Sequence, residues 1–410
     1  MPKSPAPDQT TQAGRTRIDS RPVVAGIVTA LVGFTSSFAV VLAGLKAVGA
    51  NPAQAASGLL ALTLAVGLGV LVLSWRSRVP VTLAWSTPGA ALLAASVVPD
   101  GGWPAAVGAF IAAGLLLALT GMVPALGRLM ARIPSSLAQA MLAGVLLQLC
   151  LAPFKALGTV PVFVAPVIIC WLAMMKFAPR WSVPAALLVA LGVIGVALAL
   201  VGTAVEPAAM VPALSWTTPA FSPQALAGIA IPLFVVTMAS QNVPGVAVLR
   251  SFGYSTPWRP AMLVTGAGTV AGAPFGGHAI NLAALSAALA AGEEAGSDRD
   301  RRWLAGFVSG LAYLVLAAFS AGLVAVVNQA PPGMLEAVAG LALLGTLASA
   351  VSAALADPED RIAPAVTFLM AASGLAFAGI GSAFWALLAG LVVRWALQPR
   401  PGVRPGKPSA

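Results

Sequence analysis

The sequence predicts an all-α polytopic membrane protein: 14 transmembrane segments in two inverted seven-span repeats, with short extended stretches and half-helices in segments 3 and 10. Three observations predict it. Hydrophobic residues make up 59% of the chain and charged ones 8%, too little charge to cover a protein of this length in water. Apolar runs near 20 residues recur from Val23 to Leu397, each long enough to cross about 30 Å of hydrocarbon. When the chain is cut at these runs with the N-terminus inside, all but two of the 22 Lys and Arg residues fall on the inside loops; Lys46 and Lys155 are the exceptions. That asymmetry follows the positive-inside rule, and one missed span would scramble it.

Charges, prolines and glycines place the segments at 22–46, 53–74, 81–98, 103–125, 135–153, 160–177 and 182–203, then 223–249, 256–272, 274–290, 303–327, 333–355, 361–379 and 382–397. Residues 1–21 and 398–410 read as cytoplasmic tails, the first of them disordered, and 204–222 as an extracytoplasmic connector. Seven spans per half is an odd number, so 223–397 must sit inverted relative to 22–203. The expected location is the cytoplasmic membrane of a bacterium, with both termini inside. A homo-oligomer stays open at this level.

Composition also excludes. The net charge of +10 is not clustered, and no basic-aromatic patch accompanies it, so nucleic acid is not an expected partner. Cys150 and Cys170 lie within apolar spans and read as small core residues. No nucleophile–base pair, metal cluster or phosphate loop points to an enzyme, a metal or a cofactor. The mixed-charge stretch 292–302, "GEEAGSDRDRR", reads as a solvated inside loop.

Segments 3 and 10 are both broken near their start. In "AWSTPGAALL", Ser86 and Thr87 precede Pro88 and Gly89 and a run of helix formers follows; proline suits a first turn because its missing N–H would lack a partner anyway, and a Ser or Thr just before it caps the helix. Val81 to Trp85 before it should be extended. In "PFGGHAINLAAL", Pro274, Gly276 and Gly277 loosen the chain, and a helix is expected to start near His278, the only histidine. Inverted halves should aim these two helix N-termini at each other, leaving a dry space with two positive dipole ends that suits an anion. Interrupted segments at matching positions of two halves mark a transporter's binding site.

Segment 8 carries Gln241 and Asn242 ahead of Pro244 and Gly245. Amides in hydrocarbon turn toward the bundle interior, where they either bond other helices or touch substrate. Segment 1 has Thr35, Ser36 and Ser37 between Phe34 and Phe38. Those two rings either pack the core or wall an aromatic substrate.

"AWSTPGAALL", "MASQNVPGVAVLRSFGY" and "PFGGHAINLAAL" resemble the signatures of the BenE family of bacterial benzoate:proton symporters, over about residues 22–397. The resemblance implies a fold related to the uracil/xanthine, sulfate and bicarbonate transporters, with a core domain of spans 1–4 and 8–11 and a gate domain of spans 5–7 and 12–14. Nucleobase relatives are implied to carry acids in spans 8 and 10. Here those spans offer Gln241, His278 and Asn281, so an aromatic carboxylate is the expected substrate, imported with protons by alternating access. A nucleobase or inorganic-anion carrier, or an anion channel, is the alternative.

Burial and the dipole should keep His278 neutral in the empty site, while an arriving carboxylate favours the imidazolium. By linkage, a proton on His278 would strengthen anion binding as much as the anion strengthens proton binding. If His278 is only a structural donor, the proton binds Glu336 or arrives on benzoic acid itself.

Overall fold

The computed structural model describes residues 19–123, 125–126, 134–202, 204–358 and 360–397. Most of both expected tails, and the basic pair Arg128 and Arg132, lie outside the described residues. Arg21, expected at the end of the first tail, opens a helix instead. Its amide and its Nε donate to Asp19 Oδ1 at 3.1 and 3.2 Å; the amide bond, ahead of the guanidinium, holds that carboxyl below its ordinary range.

Among the described residues, eight helices are long and apolar enough to cross a membrane: Arg21–Ala47, Pro52–Ser77, Gly102–Met122, Ser135–Thr159, Pro179–Val201, Pro223–Ser251, Arg299–Val327 and Met334–Ala354. Shorter apolar helices occupy Pro161–Phe177, Ile362–Ala372 and Ser382–Leu397, and Trp258–Gly272 is a further helix. The chain is a mostly helical membrane protein. Local chemistry sets the ends: Asn51 and Gln54 bond each other's backbone amides in a capping box with Pro52 at the first turn, satisfying donors that an uncapped helix leaves bare.

Two packing sets are visible. Pro52–Ser77 and Arg21–Thr35 both lie on Trp303–Val327, Gly102–Met122 lies on Trp258–Gly272, and Phe38–Ala47 covers Thr87–Ala94. In the other set, Ser135–Thr159 lies between Met334–Ala354 and Ile362–Ala372, Ser382–Leu397 packs on the latter, and Pro161–Phe177 pairs with Ser182–Val201. Small residues let these backbones approach: Cβ atoms built on Gly58 and Gly266 would stand only 2.5 Å from the Gly276 carbonyl oxygen and the Ala118 amide.

Segments 3 and 10 meet. Leu83–Trp85 and Ile280–Leu282 form an antiparallel two-stranded ribbon, with Leu83 opposite Leu282, Ala84 opposite Asn281 and Trp85 opposite Ile280. The ladder continues at both ends through Ser86 N–H to the Ala279 carbonyl (2.8 Å) and Ala283 N–H to the Thr82 carbonyl (3.0 Å). The helices Thr87–Ala94 and Leu285–Ala291 leave from opposite ends of the ribbon.

Three expectations need correction. The helix of segment 10 begins at Leu285, not near His278, because the ribbon claims 280–282 and tertiary pairing overrides the helix propensity of the Ala/Leu run. Segment 1 is two helices, Arg21–Thr35 and Phe38–Ala47, separated at Ser36 and Ser37. Segment 13 stops at Ala372, well short of residue 379. Gly374, with φ of 68°, supplies the left-handed residue that ends helices, and Phe377 then bridges Ile380.

Gly58→Val should lower the thermal unfolding midpoint of the detergent-purified protein by several degrees, because its side chain would collide with Gly276. Gly158→Ala, with nothing within 4 Å of the new Cβ, should leave it unchanged or raise it slightly, since alanine favours a helix interior by about 1 kcal/mol over glycine.

Candidate functional site

The ribbon is clamped from several sides. Asn242 accepts the Leu282 amide at 2.8 Å through Oδ1, and its Nδ2 donates to Met238 Sδ at 3.2 Å. The Ile280 amide donates to Thr269 Oγ1 at 3.1 Å. On the other strand, Trp85 Nε1 donates to Ser37 Oγ at 2.6 Å. Ser86 accepts the Gly89 amide at 3.1 Å as the helix cap, and its hydroxyl shares a 2.7 Å hydrogen bond with Thr237 Oγ1. Asn242, Thr237 and Ser86 are buried, so each of these bonds is worth more than at a surface, and losing one strands a polar group. A π-helical turn over Met238–Asn242 carries the segment-8 amides, a distortion frequent at functional sites.

Beside the ribbon lies a cavity of about 440 Å³, within the roughly 300–1,000 Å³ range of small-molecule sites. The chain of segment 3 enters it with Ala84, Trp85, Thr87 and Pro88; segment 10 contributes Ala283, Ala284 and Ser286. Segment 1 adds Ser36 and Ser37, and segment 8 adds Gln241. The opposite wall comes from the second packing set: Arg180, Ser182 and Pro184 around the segment 6–7 turn, and Ala342, Leu343 and Thr346 of segment 12. The lining is mostly apolar, and hydroxyls from segments 1, 3, 7, 10 and 12 and the Gln241 amide are its uncharged polar groups. Another hollow, about 350 Å³ beside residues 208–215, is lined almost wholly by alanine and aliphatic residues.

The candidate residues therefore separate into two groups. Ser36, Thr87 and Gln241 line the cavity. Ser86, Asn242 and Asn281 are buried behind it, the first two as cap and clamp; Asn281 Nδ2 donates to the Leu282 carbonyl at 2.7 Å. Gly89 is a packing glycine, since a Cβ there would meet the cap oxygen Ser86 Oγ at 2.7 Å. Gly276, at a φ of 95°, and Gly277 lie against the backbones of Gly58 and Gly272. His278 is completely buried, 6.4 Å edge-on from Phe110. The Ser86 backbone comes near its ring, but neither ring nitrogen meets a partner in hydrogen-bonding geometry. Glu336 is exposed at the first turn of Met334–Ala354, where its charge acts on Lys46, and it is not among the residues that line the cavity.

Phe34 and Phe38 stack at 6.1 Å and are buried. They back Trp85, with Phe34 5.4 Å from the indole, and the Trp85 ring is itself buried at the edge of the cavity. Sequence reasoning missed Trp85 although it stands within the segment-3 motif; an indole beside a helix cap in an apolar run was the available signal. Arg180, Ser286 and Thr346 carried no local signal, because only packing between distant segments brings them to the cavity.

The chain matches the family model described as BenE, benzoate membrane transport protein, over residues 17–396. It is 39% identical over 368 residues to the inner membrane protein YdcO of Escherichia coli (strain K12), covering 90% of this chain and 93% of that one. It is 30% identical over 377 residues to the benzoate membrane transport protein of Acinetobacter baylyi (strain ATCC 33305 / BD413 / ADP1), with 91% and 94% covered. In fold it is similar to the transmembrane domain of a cyanobacterium bicarbonate transporter, BicA, at a TM-score of 0.61 and 18% identity, covering 92% of this chain and 98% of that one. A murine Solute Carrier 26 family member A9 anion transporter in the inward-facing state gives 0.56 at 15% identity, with 94% and 70% covered.

Asn242→Ala should cost about 1–3 kcal/mol of stability by leaving the Leu282 amide unpaired in the interior, seen as an earlier thermal unfolding midpoint. Gln241→Ala, one residue away but facing the cavity, should leave that midpoint nearly unchanged.

Proposed function

The chain belongs to the BenE family of benzoate membrane transport proteins, and from that premise we propose that it imports benzoate, or a closely similar aromatic carboxylate, together with protons. It is a membrane transporter. The observation that carries the substrate reading is the cavity wall: a mostly apolar lining for a ring, with Thr87, Ser36 and Gln241 for a carboxylate, and no Asp or Glu among the described lining residues. A nucleobase would need acceptors for its ring N–H groups, which an acid-free wall supplies poorly; a small inorganic anion would leave the apolar lining unused.

In this reading the fourteen segments are two inverted sevenfold repeats with both termini in the cytoplasm, in the inner membrane of a bacterium. The packing set around segments 1–4 and 8–11 is the core domain that carries substrate. The set around segments 5–7 and 12–14 is the gate domain against which it moves. The cavity between them is one state of an alternating-access cycle. The carboxylate is held where Thr87 opens its helix, by hydroxyl and dipole together, and Gln241 donates from the facing segment. The ring lies against the apolar lining.

His278 is the proton carrier in this scheme. Its ring lies behind the ribbon, so a proton there acts on the bound anion through the poorly screened interior and not by contact. Benzoate and one proton together are neutral, which lets the loaded core domain cross at little electrostatic cost. Because each strengthens the other's binding, benzoate affinity rises as pH falls.

Uptake of labelled benzoate into proteoliposomes under an imposed inward pH gradient tests the reading. The wild type should accumulate benzoate against its gradient and not uracil or sulfate. His278→Gln should lose gradient-driven accumulation while keeping benzoate exchange, and Glu336→Gln should keep both. Intact accumulation in His278→Gln would remove the histidine from the mechanism; no benzoate uptake by the wild type would overturn the substrate.

A further inference from the structure

Resting on that substrate reading, we propose that Arg180 receives the substrate carboxylate at the cytoplasmic mouth of the cavity as it leaves Thr87, and that Glu294 is the internal counter-ion that Arg180 holds whenever the carboxylate is away. Three observations carry this. Arg180 is the one charged residue among the described lining of the cavity. Its Nη1 is 2.5 Å from Glu294 Oε1. The two residues stand on different packing sets: Arg180 in the turn Pro179–Trp181 before the segment-7 helix, Glu294 in the turn Glu293–Ala295 just past the segment-10 helix.

The chemistry follows from exposure. The Arg180 and Glu294 side chains are 59% and 51% exposed, and an ion pair in that much water is weak. It is therefore easily exchanged. A guanidinium offers a planar fork that suits a carboxylate bidentately. A substrate carboxylate inside the cavity is less hydrated than Glu294 at the rim, so the same guanidinium gains more from it. Glu294 meanwhile keeps Arg180 compensated in the empty transporter and competes for it when substrate is present. Each anion that reaches this mouth frees Glu294 from the contact between the two packing sets, so its passage also loosens one link there.

The opposed roles give an opposed signature. In proteoliposomes whose transporters present the cytoplasmic face to labelled benzoate, Arg180→Gln should raise KM about tenfold, the usual loss for one charge-assisted hydrogen bond, and Arg180→Lys should recover part of it. Glu294→Gln removes the competitor and should lower KM by about two- to threefold. If the pair were only a structural latch, both neutral variants would break the same link and move KM in the same direction. That result, or an unchanged KM in Arg180→Gln, overturns the proposal. Should Arg180→Gln not fold, Glu294→Gln decides alone: a lower KM supports the exchange, and an unchanged or higher one refutes it. Wild-type protein that transports benzoate while these variants fail the pattern would sink this inference and leave the substrate assignment standing; wild-type protein that does not transport benzoate sinks both.

Discussion

Backbone groups in hydrocarbon have no water to turn to, and a chain that breaks two helices there must pair what it has exposed. The ribbon between Leu83–Trp85 and Ile280–Leu282 does this. Its short ladder satisfies the extended stretches of two segments almost two hundred positions apart, using each to complete the other. Asn242 and Thr269 take up the amides of Leu282 and Ile280, and Ser86 takes the Gly89 amide of the helix that follows. Where Thr87 stands, how Trp85 is presented and where the cavity opens are consequences of that pairing.

Work is divided between two sides of the ribbon. Behind it, Ser86, Asn242, Asn281 and His278 are buried and polar for the sake of the backbone, or, for His278, without a fixed partner in this conformation. In front of it, Ser36, Thr87 and Gln241 line a space whose far wall belongs to the other packing set. Gly58 and Gly276 allow the backbones behind to close up. The Phe34–Phe38 stack does the same for Trp85 by fixing its outer edge. Buried polar groups tie the side behind together, while the wall in front belongs to separate elements.

Much of this was legible in the sequence. Proline after Ser86 and Thr87, and Pro274, Gly276 and Gly277 before His278, located both breaks, because prolines and glycines are the residues that interrupt a helix. The amides of segment 8 pointed inward for the same energetic reason, though adjacent side chains took different roles: Gln241 faces the cavity and Asn242 the ribbon. What sequence could not carry was pairing at a distance. The Ala/Leu run after His278 has the composition of a helix, and only the partner strand reveals why Ile280–Leu282 is extended instead. The early end of segment 13 at Ala372 turned on Gly374 alone, a residue type too common in this chain to single out. Arg180, exposed in a short inter-helical turn, looks like any inside-loop cation until the fold sets it beside the cavity.

The central claim is that the ribbon holds the first turn of Thr87–Ala94 open to a cavity where the substrate carboxylate binds. Thiol labelling tests it most directly, in a chain whose only cysteines, Cys150 and Cys170, are replaced by alanine and in which Thr87→Cys is introduced. A membrane-impermeant thiol reagent should modify that cysteine from one side of the membrane, and benzoate at saturating concentration should protect it while uracil does not. A cysteine that never reacts from either side, or that reacts equally with and without benzoate, would contradict the account.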